Sequence, residues 1–276
     1  MYKQRGFTPL EVRTKDGHPA LLGLLLTGFT LIELLVVIAI IALLMSILMP
    51  TLDRASRQAK AVMCQSRLHQ WCLVMKLFTD DNNGLFFEHL GLTNTDNNLK
   101  EYYKDDELLL CPMAEIWYGD PYGSRARCPF GAHEYYDGLS SYGHNSWICS
   151  KVAAGRQTDE KLWKTPNVRG AANIPMLFDC AGYQNASPWP EDEPPEFNGQ
   201  FIQRSNDDEM RYACLDRHNE HINMAFCDYT VRRVGLKELW TLEWHRKWIE
   251  EIREVGLPTT WDEPEHWMYG MRDYDF

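Results

Sequence analysis

Twenty-one residues, Phe29 to Met49 (FTLIELLVVIAIIALLMSILM), are apolar with a single charge among them, Glu33. The run contains no Pro or Gly and has the length, roughly 20 residues at about 1.5 Å rise each, that a helix needs to cross a bilayer core. A helix that spans or lies in a membrane is therefore expected. A carboxylate inside such a helix costs about 2.5 to 3.5 kcal/mol by insertion scales unless it finds a partner, so a plain anchor would not carry Glu33. A secretory signal, with an apolar region of about 7 to 15 residues closed by small residues, fits less well. This run is longer and is followed by Pro50-Thr51-Leu52-Asp53-Arg54.

The segment Thr27-Gly28-Phe29-Thr30-Leu31-Ile32-Glu33-Leu34-Leu35 resembles the cleavage and methylation signature of type IV prepilins and of type II secretion pseudopilins. The resemblance implies a cut after Gly28 by a prepilin peptidase and N-methylation of the exposed Phe29. It also implies that Glu33 pairs with the N-terminal amine of a neighbouring subunit during assembly. The implied partners are the peptidase, the inner membrane, copies of the chain or related pilin-like subunits, and a secretion or pilus assembly platform. A weaker upstream copy, Gly6-Phe7-Thr8-Pro9-Leu10-Glu11, runs into Val12-Arg13-Thr14-Lys15-Asp16, which cannot enter a membrane.

This divides the chain into a leader (1–28), a transmembrane and assembly helix (29–53) and an extracytoplasmic domain (54–276). The leader holds Lys3, Arg5, Arg13 and Lys15 against Glu11 and Asp16, a bias that keeps it cytoplasmic under the positive-inside rule. The rest of the chain then faces the periplasm or the exterior. Of 28 basic and 39 acidic side chains in all, 24 and 37 remain after residue 28, a formal net charge of −13. Such a domain repels phosphates, which excludes nucleic acid as an expected partner.

Pro50 lies directly after the apolar run, where its missing N–H kinks or ends a helix. The helical pattern resumes from Asp53 to Phe78, with Val62, Leu68, Trp71, Cys72, Met75 and Phe78 as an apolar stripe. One long helix with a kink at Pro50 is expected, and it resembles the spine of pilins, whose outer half packs on a small sheet. It should stop near Thr79-Asp80-Asp81-Asn82-Asn83-Gly84, a set of turn formers better suited to a helix cap than to an EF-hand. Strands are expected over 140–148, 174–180, 222–227 and 230–234, the last two as a hairpin, with a Pro-rich acidic loop at 185–199. Leu236, Trp240, Trp244, Trp248 and Ile252 recur every four residues, predicting a helix over 236–255 whose Trp ridge is core rather than a glycan platform.

Arg217-His218, Asn223, Phe226 and Asp228, followed by Val231-Arg232-Arg233-Val234, resemble a C-terminal motif of pseudopilin-like proteins common in planctomycete-type bacteria: His, nine residues, Asp-Gly. Ser141-Tyr142-Gly143, Ala172-Asn173-Ile174-Pro175 and Leu239-Trp240 look similar to segments of the same proteins. Tyr229 replaces the motif's Gly, so a different or strained turn is expected there. His218, His221 and Asp228 combine imidazole and carboxylate, as metal and acid–base sites do. They lack a third firm ligand or a nucleophile, so hydrogen bonding is the expected role, with no metal, cofactor or enzymatic activity. Eight cysteines in an oxidising exterior favour disulfides. Cys64 and Cys72, about 12 Å apart on one helix, cannot pair. Cys111 and Cys128, each before a Pro, are the best candidate bridge, with free buried thiols equally compatible.

The expected fold is thus α+β and pilin-like: a long N-terminal membrane-embedded helix packed on a small antiparallel sheet, with an additional C-terminal helix. The expected role is structural subunit of a type II secretion pseudopilus or type IV pilus-like filament. The alternative is an exported, surface-anchored binding module, an adhesin or glycan binder, that uses the signal for export.

Overall fold

The computed structural model describes residues 30–88, 99–114, 133–135, 138–152, 157–180, 185–196, 198 and 208–274. The chain forms two units, Met1–Leu52 and Asp53–Phe276, and helix α1 (Leu31–Asp81) runs through both. In the first unit all of residues 30–52 are exposed. Pro50 sits inside α1; it has no N–H to give the Ser46 carbonyl, yet the helix continues past it. Thr51 Oγ1 donates to the Leu48 carbonyl at 2.8 Å and Ser46 Oγ to that of Leu43 at 2.7 Å.

Within the second unit, α1 buries Cys64, Leu68, Trp71, Cys72, Met75 and Phe78, spaced so that they share one helix face. Val62, expected on this stripe, is 59% exposed. Cys64 takes its place. The helix closes at Gly84, whose φ of 76° suits glycine and whose N–H donates to the Thr79 carbonyl at 2.7 Å.

Strands β1 (His133–Tyr135) and β2 (Gly138–Ser140) pair as a separate antiparallel ladder. The main sheet holds β3 (Tyr142–Asn145), β4 (Pro175–Asp179), β5 (Asn185–Ala186), β6 (His221–Phe226) and β7 (Val231–Gly235), in the order β5-β3-β4-β6-β7. Its expected antiparallel pairing holds except at one edge, where β5, the start of the acidic loop, lies parallel to β3. The strand expected over 140–148 is cut short because the Asn145 side chain accepts the Trp147 N–H at 3.0 Å and starts a 3-10 turn.

One face of the sheet packs on α1 through Tyr142, Met176, Leu177, Ala225 and Cys227, and the other carries Phe178, Ile222, Met224, Phe226 and Val234. The register shift between Pro175 and Leu177 is what allows adjacent Met176 and Leu177 into the same core.

The helix expected over 236–255 is instead a 3-10 turn (Lys237–Thr241), a break, and helix α2 (Trp248–Val255). Tertiary bonds capture the groups that a continuous helix would use. Glu243 N–H goes to the Asn173 carbonyl, while the Leu239 and Trp240 carbonyls accept the indole N–H of Trp244 (2.7 Å) and of Trp248 (3.0 Å). All five ridge residues are buried. Large aromatics supply core area here, and their polar handles set the backbone path.

Asp192, in the acidic loop, is buried and accepts the N–H groups of Trp189 (3.0 Å) and Met210 (2.9 Å) through one oxygen. Burial pushes its carboxyl up to about 7. A folded value above the unfolded one means that the folded state holds the proton more tightly, so stability falls as pH rises from about 4 to 7, by up to about 1.4 kcal/mol per pH unit. Asp192→Asn keeps the double acceptor without the charge. It is expected to match the wild type in denaturant titrations near pH 4 or below and to exceed it increasingly towards pH 8.

Candidate functional site

Gly28 and Phe29 lie outside the described residues. Immediately after them, Thr30 precedes α1, its Oγ1 accepts the Glu33 N–H at 3.3 Å, and Glu33 Oε2 accepts the Thr30 N–H at 2.8 Å and its hydroxyl at 2.7 Å. This is a capping box, which satisfies otherwise orphaned donors at a helix start. It also holds the carboxylate at the positive end of the helix dipole. Around it, Leu31, Ile32, Leu34, Leu35 and the apolar side chains on to Leu52 are exposed.

A second constellation lies inside the second unit. Asp179, the last residue of β4, is fully buried and receives Arg217 Nη1 (3.1 Å) on Oδ1, and His218 Nε2 (3.0 Å) and the Asn223 N–H (2.9 Å) on Oδ2. Arg217 also donates to the carbonyls of Ser141 (2.7 Å) and Cys180 (2.9 Å). Cys64 Sγ on α1 lies 3.6 Å from Asp179 Oδ1, and Cys111 Sγ lies 3.5 Å from His218 Nε2.

The charges explain the titration. Burial would raise the Asp179 carboxyl, but the facing His218 and Arg217 cations hold it well below the usual carboxylate range. Burial would lower His218, and Asp179 lifts it to about 9. Burial, with Cys111 and Asp179 beside it, pushes the Cys64 thiol well up. Cys111 is raised by burial and brought down to about 6 by its hydrogen bond with Cys64, by His218 and by Arg217. All five of these side chains are buried.

His218 is thus placed against Asp179, not Asp228. Asp228 sits in the β6–β7 turn and accepts the Thr230 N–H (3.0 Å) and hydroxyl (2.7 Å). Tyr229 in the same turn takes φ 65°, the left-handed region, and its hydroxyl meets Thr79 Oγ1 of α1 at 3.1 Å. His221 contacts Arg233. Cys111 lies in the cluster with a free thiol, and Cys128 is outside the described residues. Sequence reasoning missed Cys64, Asp179 and Arg217 as partners. The available signal was Asp179 itself, one charge in the apolar stretch IPMLFDC, because a buried charge needs a partner.

The apolar first half of α1, exposed over residues 31–52 and leading into an α+β domain, makes a pilin-like architecture, and among the described residues α1 is the one helix long and apolar enough to cross a membrane. The prokaryotic N-terminal methylation motif matches residues 27–49. A type IV wide pilus major component, PilA4 of Thermus thermophilus, is 38% identical over 77 residues, covering 26% of this chain and 59% of that relative's length. No solved structure matches. The N-terminal part of the chain is thus similar to type IV prepilins, and the chain spans less than two thirds of that relative's length.

Proposed function

We propose that the chain is a structural subunit of a pilus-like or pseudopilus-like filament. It is inserted in the inner membrane with residues 54–276 outside the cytoplasm, cut after Gly28 by a prepilin peptidase, N-methylated at Phe29, and handed to an assembly platform. The observation that carries this is the exposed apolar first half of α1 with a single capped carboxylate at its start. Such a surface needs lipid before assembly and other subunits after it. Lipid-phase helices pack by van der Waals contact, so a charge at a fixed depth supplies the register that apolar contact lacks. That relative's role as a pilus component supports the same reading. The Trp ridge is buried, which leaves a glycan-binding module without the platform that suggested it.

Intact-mass analysis of the protein from cells with an active prepilin peptidase tests processing. The expected species begins at methylated Phe29, and Gly28→Leu is expected to leave the full-length chain in the membrane with none in a sheared filament fraction. A mature species beginning elsewhere, or filaments built from uncut chain, would overturn the reading.

A further inference from the structure

Cys64, Cys111, Asp179 and His218 come from four separate segments, α1, the loop after the turn Asp106–Leu109, the end of β4 and the approach to β6. All four are buried, and their ligand-type atoms lie within 4.8 Å of one another. We propose that these residues form a closed, structural zinc site.

The separations are close to those of four ligands around one metal. With Zn–S of about 2.3 Å and Zn–N and Zn–O of about 2.0 to 2.2 Å, a tetrahedron has S–N and S–O edges of about 3.5 Å and an N–O edge of about 3.3 Å. The cluster has S–O at 3.6 Å, S–N at 3.5 Å and N–O at 3.0 Å. The two sulfur separations match neighbouring ligands around a common centre, and the N–O separation, an ion pair as it stands, would open by about 0.3 Å to admit the metal.

The donor set is also selective. Two thiolates with an imidazole and one carboxylate in tetrahedral array suit Zn²⁺ and disfavour the oxygen-seeking Mg²⁺ and Ca²⁺. Four protein ligands leave no open position, so the site is structural. The charges cancel as well: a dication, two thiolates and a carboxylate leave one negative charge, which Arg217 neutralises from its buried position on Asp179.

The surroundings hold three of the four ligands as an outer shell should, while the buried His218 Nδ1 has no hydrogen-bond partner among the described residues. Arg217 and the Asn223 N–H fix the Asp179 carboxylate. Tyr142 Oη donates to Cys64 Sγ at 3.2 Å, and the Met113 N–H donates to Cys111 Sγ at 3.4 Å. Bound metal would tie the outer half of α1 to the sheet and to the loop carrying Cys111, coupling completion of the domain to metal uptake.

The test uses the full chain, purified in detergent without chelator or metal-affinity resin. Elemental analysis is expected to find a single zinc per chain, lost in the Cys64→Ser/Cys111→Ser double variant and retained in Cys227→Ser, a buried cysteine outside the cluster. Because the double variant risks misfolding, Co²⁺ is also titrated into chelator-stripped wild type. A saturable thiolate-to-cobalt charge-transfer band with four-coordinate d–d absorption is expected. Absence of that band, zinc retained by the double variant, or a Cys64–Cys111 disulfide in non-reducing peptide mapping would each overturn the proposal.

Discussion

Arg217→Met should destabilise the second unit by about 3 to 5 kcal/mol, the cost of stripping one partner from a buried ion pair. The guanidinium is fully buried and joins Asp179 to the carbonyls of Ser141 and Cys180. Its removal takes a donor from both carbonyls and from Asp179 Oδ1 in a place that water does not reach, although the Ser141 carbonyl keeps the Cys180 N–H. Methionine fills similar volume, so the loss reports the charge and hydrogen bonds rather than a cavity. Denaturant titration of the full chain, followed by Trp fluorescence, measures it. Lys76→Met is the control, since the Lys76–Asp80 pair is exposed on both sides and should change stability by less than about 1 kcal/mol. Equal effects would show that burial is not what gives Arg217 its weight.

The contrast between these two residues also marks what the sequence made legible. Patterns that live within a few residues were readable: the apolar run, the cap at Gly84, strand β4 and the β6–β7 hairpin all follow from local period and turn chemistry. The left-handed Tyr229 was readable too, because a Gly-demanding position was filled by another residue. Asp179 with His218 was not. The two residues lie on different segments brought together by the sheet, whereas Asp228 lies at the spacing that the motif offers, in the turn at the far end of the hairpin.

The 236–255 segment failed for a related reason. Its apolar residues recur with helical period and all reach the core, so the period was real. What broke the helix was a set of indole and amide bonds to distant backbone groups, with Asn145 and Trp163 both donating to the Trp244 carbonyl. Tertiary bonding outweighs local propensity wherever it satisfies the same backbone groups. Cys64 and Cys111 were hidden in the same way, because zinc ligands are recognisable in sequence when closely spaced and these two are not.

Glu33→Ala is expected to leave membrane insertion intact, or improve it, while filament yield falls. Removing the carboxylate relieves an insertion cost of at most about 2.5 to 3.5 kcal/mol, the figure for a charge at a helix centre, so the membrane-bound pool should not shrink. A charge-assisted hydrogen bond contributes about 1.5 to 3 kcal/mol. Its loss at each subunit contact weakens association by roughly tenfold to a hundredfold. Immunoblots of membrane and sheared-filament fractions measure both quantities. The capping box supplies the discriminating variant, because Thr30 shares the helix-start bonds with Glu33 but carries no charge. If Glu33 serves only to cap α1, Thr30→Ala and Glu33→Ala should reduce assembly alike, each by the ~1 kcal/mol of a lost cap. If the carboxylate meets a neighbour's amine, Thr30→Ala should assemble nearly as well as the wild type, since freeing Glu33 from its own hydroxyl leaves the charge available for that contact.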